Sequence, residues 1–136
     1  MTKIDKSFSD KCDELIKNLP ILKEPQKMTD SELDEAIAIE VMGWHLVDSN
    51  GILMWEEEEV YARSINRACY HPSTNLNQCW EAEEKIKDLG LSIQYIRILY
   101  GFLQNSNRTL VFDFDIFHAT ARQRCEAMLA AVRGAK

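Results

Sequence analysis

Residues 71–90, HPSTNLNQCWEAEEKIKDLG, constrain the fold most, because they combine a turn, a helix start, a tryptophan and a glycine stop. Pro72 lacks a backbone N–H and biases the preceding residue toward extended geometry. Ser73 or Thr74 is then placed to accept a hydrogen bond from an early helical N–H. Gly90 stands where helices commonly end in left-handed geometry. The segment therefore predicts one capped helix, around which we expect the other elements to pack.

Residues within this helix recur at the spacing of one helical face, which predicts a buried stripe. The stripe has one polar member, Glu83, and its other members are Leu76, Cys79, Trp80, Ile86 and Leu89. The start of the helix leaves backbone N–H groups unpaired at the positive end of the helix dipole, so it is a candidate anion site. The alternative is that Ser73 and Thr74 cap the helix and have no further role.

The length and charge of the chain limit the class of protein. With 136 residues, the chain predicts one domain whose core needs neither disulfides nor metals. Lys and Arg number 16 against 22 Asp and Glu, which gives a formal net charge of −6. Direct nucleic-acid binding is not expected, because phosphate contacts need clustered cations. A basic partner protein is compatible with this charge.

The chain contains no apolar run long enough for a transmembrane helix, and its first residues lack the apolar core of a signal peptide. We therefore expect no membrane contact and a cytoplasmic location. The four cysteines are then predicted to be reduced thiols, with Cys79 and Cys125 as small core residues.

The first 27 residues predict a unit appended to the main domain. Apolar residues recur every three or four positions before Pro20, which predicts a short amphipathic helix. These residues are Ile4, Phe8, Cys12, Leu15, Ile16 and Leu19. A connector with two prolines follows, so we divide the chain into an N-terminal helix and linker, residues 1–27, and a domain, residues 28–136. The apolar face of the helix has to cover its own domain or a second copy, which leaves a homo-oligomer open.

The next elements carry local signals. The sequence TDSE at residues 29–32 is a capping box, and it predicts a helix that ends near Gly43. The pair Asn50-Gly51 between apolar runs predicts a β-hairpin. Trp44 and Trp55 are expected near the open end of this hairpin, where they are candidates for a pair across the two strands. Residues 56–70 do not indicate a structure.

Two β-rich runs, residues 91–104 and 108–119, follow the central helix, and NSNR between them has the composition of a turn. They predict two antiparallel strands in the middle of a sheet. A closing helix is predicted from Thr120, with a stripe made by Ala121, Cys125, Met128, Leu129 and Val132. The predicted fold class is therefore α+β, a small and mostly antiparallel sheet sandwiched by helices (α-β-α), with the extra N-terminal amphipathic helix.

Candidate catalytic motifs are few. The chain has neither a Gly-x-Ser-x-Gly elbow nor a glycine-rich phosphate loop. The spacing of Cys69, His71 and Cys79 matches no zinc pattern. We therefore predict a protein that is not an enzyme and has no cofactor and no metal. A weaker alternative is a hydrolase that uses Asp113, Asp115 and His118.

A small-ligand site is the remaining possibility in the residues themselves. Arginines suit phosphates, and the segment before the central helix adds polar donors. The candidate ligand-binding set is Arg63, Arg67, His71, Ser73, Thr74, Arg122 and Arg124. Tyr70 and Trp80 would stack on a base, which makes the set a candidate nucleotide pocket. The alternative is that the arginines pair with nearby acids and Trp80 fills the core.

Three segments, LDEAIAIEVMGW, HPSTNLNQCWEAEEKI and FHATARQRCEAMLAAV, resemble the phage ABA sandwich domain family of small proteins from tailed phages and prophages. The similarity spans residues 28–136 and departs from the family at Arg122–Arg124 and at residues 56–70. It implies a sheet sandwiched by helices and no catalytic residue. It also implies a phage or prophage accessory protein in the host cytoplasm, which binds or inhibits a host component such as a defence system. The alternative function is a small-molecule protein that binds or sequesters a nucleotide signal.

Overall fold

A computed structural model of the chain describes residues 23–57, 64–107 and 113–135. The predicted N-terminal amphipathic helix and Arg63 lie outside the described residues. Within these ranges the chain forms a three-stranded antiparallel sheet and five α-helices, which confirms the α+β class. The strands are β1 His45–Ser49, β2 Ile52–Glu56 and β3 Ser64–Asn66, and the helices are α1 Asp30–Ala36, α2 Leu76–Asp88, α3 Ser92–Asn107, α4 Asp113–Phe117 and α5 Ala121–Gly134.

Helix α5 lies at the centre of the described core. It packs most extensively against α3, and also against α1, α2 and the π-helical turn that follows α1. Its buried apolar residues are Cys125, Ala127, Met128, Leu129, Ala131 and Val132. The helix starts with a reciprocal cap, in which Gln123 N donates to Thr120 Oγ1 (3.1 Å) and Thr120 N donates to Gln123 Oε1 (2.9 Å). The predicted start and buried stripe of this helix are confirmed, with Ala121 half-buried at its edge.

Helix α1 also begins as predicted, with the capping box formed by Thr29 and Glu32. It continues as a π-helical turn over Ile37–Val41. Gly43 follows with a φ of +73°, a conformation that an L side chain rarely adopts. Leu33 and Ile37 are fully buried. This helix therefore contributes one wall of the core.

The predicted hairpin is confirmed. Strands β1 and β2 pair antiparallel with Ser49 opposite Ile52, and β3 adds to the other side of β2. Asn50 and Gly51 both have positive φ, 54° and 86°, as a two-residue type I′ turn requires. Trp55 is buried, but Leu46 rather than a tryptophan lies opposite it.

The strand predicted at residues 91–104 is wrong, because these residues form most of α3. The β-branched and aromatic residues of this run favour a strand by composition. Its buried residues Tyr95, Leu99 and Leu103 are spaced by four, which is the repeat of a helical face. Packing against α5 therefore overrides the local preference, and the turn predicted at residues 105–108 is helical through Asn107.

The second predicted strand, residues 108–119, is wrong in its described part. Residues 108–112 lie outside the described residues, and Asp113–Phe117 form the short helix α4. The predicted pairing of two strands in mid-sheet therefore does not occur in the described residues. Asp113 and Asp115, which the hydrolase alternative uses, therefore lie on a helix and not on the predicted strand.

The central helix α2 differs from its prediction at the start and on one side. Its cap is Asn75, whose side-chain oxygen accepts from Gln78 N (3.2 Å), so the cap predicted at Ser73 or Thr74 is wrong. Cys79, Ala82 and Ile86 form the buried face. Three members of the predicted stripe are exposed instead, namely Leu76, Trp80 and Leu89. Trp80 directly follows Cys79 and so points about 100° away from it around the helix axis.

Arginine side chains bond both ends of α5 to neighbouring elements. Near the start, Arg124 donates to Glu83 of α2 (3.1 Å) and to the carbonyl oxygens of Ile116, Phe117 and Ala119, each at 3.0 Å. Near the end, Arg133 forms a two-pronged ion pair with Glu40, with both N···O distances at 3.0 Å. Glu83 also accepts from the Tyr95 hydroxyl (2.6 Å), and burial raises the pKa of Tyr95, so this hydroxyl stays a donor.

We predict that Arg124→Ala lowers the free energy of unfolding by about 3 kcal/mol, because it leaves Glu83 and three carbonyl oxygens without their donor. Arg124 is only 12% exposed, so water cannot replace all of these bonds. Urea unfolding followed by circular dichroism measures the change.

The matched control is Arg97→Ala on the exposed side of α3, which should change stability by less than about 0.5 kcal/mol. Equal losses in the two variants would contradict a structural role for the Arg124 contacts.

Candidate functional site

The structure brings together part of the predicted ligand-binding set. Arg67, His71, Ser73 and Thr74 lie in one continuous stretch between β3 and α2. Arg122 and Arg124 lie at the start of α5. Arg122 donates to the Met28 carbonyl oxygen and pairs with Asp30, whereas Arg124 holds Glu83. The alternative that arginines pair with nearby acids therefore holds for both.

The stretch at residues 67–74 borders two adjoining spaces. The first is an open groove of about 520 Å³, which we call the Arg67 groove. Its lining residues are Ser31, Gly51, Ile52, Leu53, Asn66, Arg67, Ala68 and His71. The second is a smaller inner cavity of about 40 Å³, lined by Ser31, Asp34, Glu35, Trp55, Arg67, Tyr70 and His71. Three residues are common to both linings, so the inner cavity adjoins the groove.

Helix α2 positions the side of the Arg67 groove that contains His71. Gln78 accepts from His71 N (2.6 Å) and donates to the Cys69 carbonyl oxygen (2.8 Å). Asn66 accepts from Ala68 N (2.9 Å) at the other end of the turn. These bonds fix the backbone of residues 66–71, so the groove has one preorganised wall.

Asp34 is the buried acid of the site, and α1 supplies it. Its carboxylate accepts from Ser73 N (2.8 Å) and lies 3.4 Å from His71 Nδ1, while His71 Nε2 lies 2.6 Å from the Ala68 carbonyl oxygen. Burial raises the pKa of Asp34, and hydrogen bonding from Ser73 and His71 offsets part of this effect. The His71 ring therefore sits between two oxygen acceptors.

A second pair lies beside Asp34. Arg67 donates to Glu35 at 3.2 Å, and both side chains are 40% exposed. Exposed pairs of this kind contribute roughly 0–1 kcal/mol, so a ligand can exchange for either partner at little cost. Among the described arginines of the predicted set, Arg67 has the most exposed side chain, at 40% against 30% for Arg122 and 12% for Arg124.

Two buried hydroxyls near this site, Tyr70 OH and Ser73 Oγ, have no hydrogen-bond partner among the residues that the structure describes. The Tyr70 ring lies against Trp44, with 4.9 Å between ring centroids and an angle of 60° between their planes. Burial raises the pKa of Tyr70, so its hydroxyl stays protonated. An unpartnered buried hydroxyl is rare in folded proteins and marks a place to look for a ligand or bound solvent.

A separate surface lies on the outer side of α2. Trp80 is 51% exposed, and Leu76, one turn before it, is also exposed. Glu84 and Asp88 continue the same line at intervals of four residues, and both are exposed. We call this line of residues the Trp80 face. The sequence analysis placed Trp80 and Leu76 in the core. Ala82, a small residue on the buried side of α2, is the signal that the apolar stripe of this helix faces another direction.

Metal ligation and membrane insertion have limited support in the described ranges. There, no group of three His, Cys, Asp or Glu side chains is arranged to hold a metal ion. Cys79 is buried with its Sγ 3.7 Å from the Ala121 carbonyl oxygen, whereas Cys69 is exposed. None of the described helices combines the length and hydrophobicity needed to cross a membrane.

Comparison with known proteins adds no relative: the chain matches no known family, no curated protein and no solved structure. The resemblance to the phage ABA sandwich domain family therefore stays a prediction, and function has to be argued from the surfaces described above.

We predict that the free energy of unfolding of Asp34→Asn minus that of the wild type increases with pH. Because the pKa of Asp34 is raised, the folded wild type binds more protons than the unfolded chain between the ordinary carboxyl pKa and the raised value. Wild-type stability therefore loses the Asp34 contribution as pH rises through that interval, and the variant has no such loss. Urea unfolding at about pH 4 and about pH 7.5 measures the difference, with His71→Gln in both chains so that the histidine in contact with Asp34 is removed. The titration of groups away from Asp34 then cancels.

If the free energy of unfolding of the variant minus that of the wild type is constant, or decreases toward the higher pH, the folded structure does not raise the pKa of Asp34.

Proposed function

We propose that this chain is a non-enzymatic binding protein that holds a partner protein on the Trp80 face. The observation that carries the proposal is the exposure of Trp80, at 51%, on a helix whose other face is fully packed. Tryptophan is strongly enriched among the residues that dominate protein interfaces, because it buries a large rigid area with little loss of conformational entropy. Leu76 extends the apolar part of this face.

The charge around Trp80 favours a basic partner. Glu84 and Asp88 lie next to the apolar residues, and the whole chain carries a net charge of −6. Complementary charge speeds the encounter of two proteins and selects against acidic partners. The proposed partner surface therefore has an apolar pocket for the indole and Lys or Arg side chains beside it.

The resemblance to the phage ABA sandwich domain family supplies the biological setting of the proposal. We propose a phage or prophage accessory protein that acts in the host cytoplasm, where it binds and inhibits a host component such as a defence system. A homo-oligomer, with the N-terminal segment covering a second copy, is part of the same proposal.

The Arg67 groove favours a second candidate function, the binding of a small molecule such as a nucleotide signal. Its volume of about 520 Å³ is in the range of ligand sites, and two members of the predicted ligand-binding set, Arg67 and His71, line it. The pairing of Arg67 with Glu35, and of His71 with Asp34, supports a phosphate ligand less well than unpaired cations would. A thermal-shift screen with cyclic nucleotides tests this candidate, and an unchanged melting temperature across the panel removes it.

We predict that Trp80→Ala weakens binding of the partner by about 30-fold, which corresponds to about 2 kcal/mol for a central interface residue. The tagged full chain captures proteins from a bacterial host lysate, and the affinity of each captured protein is then measured for the variant and the wild type.

Ile93→Ala is the matched control, because Ile93 is 67% exposed and lies on α3, away from both α2 and the Arg67 groove. The proposal predicts that only Trp80→Ala loses capture while both variants remain folded by circular dichroism. Capture that is equal for all three chains, or the lack of any stoichiometric partner, would contradict it.

A further inference from the structure

We propose that strand β1 pairs with β1 of a second copy of this chain, so that two three-stranded sheets join into one continuous antiparallel sheet. The proposal goes beyond the homo-oligomer put forward above, because it uses residues 45–49 and not the N-terminal segment. It rests on the free hydrogen-bonding groups of β1, on the lack of features that protect a sheet edge, and on the symmetry of the strand.

Strand β1 is an edge of the described sheet. The strand order is β1-β2-β3, so β1 bonds to β2 on one side and, among the described residues, to no strand on the other. Four of its five residues are exposed, and Leu46 is 39% exposed. An edge strand carries a row of unpaired backbone donors and acceptors, which is a template for a further strand.

The hairpin register shows which backbone groups of β1 face outward. The residue pair next to a two-residue turn is hydrogen-bonded, and bonded pairs alternate with non-bonded pairs along the ladder. Ser49 is next to the turn, so Ser49, Val47 and His45 direct their N–H and C=O groups toward β2. The N–H and C=O groups of Leu46 and Asp48 therefore point away from the sheet, and no other described backbone group bonds to them.

Strand β1 lacks the features by which proteins usually protect a sheet edge, such as lysine, proline and β-bulges. The sequence HLVDS has neither lysine nor proline. Its pairing with β2 is continuous from His45 to Ser49, so the strand has no bulge. None of the described elements other than β2 packs extensively on β1. The edge is therefore open to another strand.

The outward groups of β1 are complementary to themselves. Leu46 and Asp48 lie on either side of Val47, so a twofold axis at Val47 places Leu46 of each copy opposite Asp48 of the other. In this register every outward N–H meets an outward C=O, as a bonded antiparallel pair requires. The two Val47 side chains meet at the axis, and β-branched residues pack well on a pleated surface. A second copy thus satisfies all the free backbone groups of this edge.

The charge of β1 also suits a second copy. The chain has a net charge of −6, so two copies attract only through a surface where acids do not face acids. Asp48 is the one acidic residue of β1, and its carboxylate accepts from Gly51 N of its own turn (2.9 Å). The twofold register places Asp48 opposite Leu46 of the second copy and not opposite the second Asp48, so it avoids a like-charge pair.

Sedimentation equilibrium of the full chain, at concentrations up to about 1 mM, tests the proposal, and we expect a monomer–dimer equilibrium. Leu46→Pro should weaken dimerisation by about 30-fold, because it removes the same outward N–H from both copies. It removes no bond to β2, and edge strands tolerate proline at such positions. Leu46→Ala is the matched control, since it keeps this N–H and should change the dissociation constant by less than about 5-fold.

Hydrogen–deuterium exchange of the wild-type chain, resolved by residue, gives a second measurement that needs no variant. The amides of Leu46 and Asp48 should exchange fast in dilute protein and more slowly as the protein concentration rises and the dimer forms. The amide of Val47 already bonds to β2 and should change less. This measurement decides the matter if Leu46→Pro fails to fold, and exchange at Leu46 and Asp48 that does not depend on concentration overturns the proposal.

Three results of the sedimentation experiment would also overturn the proposal. A wild type that stays monomeric up to about 1 mM leaves the edge to an extended segment of another protein. A folded Leu46→Pro that dimerises like the wild type shows that the dimer uses another surface, such as the N-terminal segment. Equal loss of the dimer in Leu46→Pro and Leu46→Ala shows that a side chain, and not the backbone, holds the copies together.

Discussion

The burial of α5 against α1, α2 and α3 is the interaction on which the rest of the described structure depends. From Cys125 to Val132 nearly every side chain of this helix is removed from water. Apolar burial contributes roughly 25 cal/mol for each Å². Arg124 and Arg133 then fix the two ends of the helix to α2 and to the turn after α1, so its position along its axis is set by directional contacts as well as by packing.

This arrangement leaves the sheet outside the main helical core. Four of the five residues of β1 are exposed, and the sheet contributes mainly Trp55 to the interior. The Arg67 groove forms where β2 and the turn after β3 meet the start of α1. The Trp80 face is the outer side of a helix whose inner side packs on α5. Both candidate surfaces, the Arg67 groove and the Trp80 face, therefore result from how the core packs, and neither surface is part of that core.

Local signals explain what could be predicted from the sequence. The capping box at Thr29, the start of the closing helix near Thr120 and the turn at Asn50-Gly51 depend on contacts within four residues, and all three predictions are correct. The run at residues 91–104 could not be decided locally, because its composition favours a strand and only packing on α5 selects the helix. At the start of α2, Ser73, Thr74 and Asn75 are all residue types that cap helices. The N–H groups of Thr74 and Asn75 donate to the His71 carbonyl oxygen, so Ser73 and Thr74 lie in a turn before the helix and Asn75 is the cap.

The residues of the candidate site were likewise predictable only where they are close together in the sequence. Arg67 and His71 were predicted together because they are close in the chain. Asp34, Glu35 and Trp55 belong to other elements, and no local pattern relates them to His71. The exposure of Trp80 depends on which arc of α2 meets α5, which is a tertiary property. Sequence reasoning therefore found Arg67 and His71 of the groove, but it missed the acids and Trp55 of the inner cavity and the second surface.

Hydrogen–deuterium exchange, resolved by residue on the full chain, tests the central place of α5 most directly. The amides of Cys125–Val132 should exchange slowest of all and only through global unfolding, while those of the β1–β2 hairpin should exchange faster through local opening. If the α5 amides exchanged as fast as the hairpin amides, or faster, the structure could not depend on the burial of this helix.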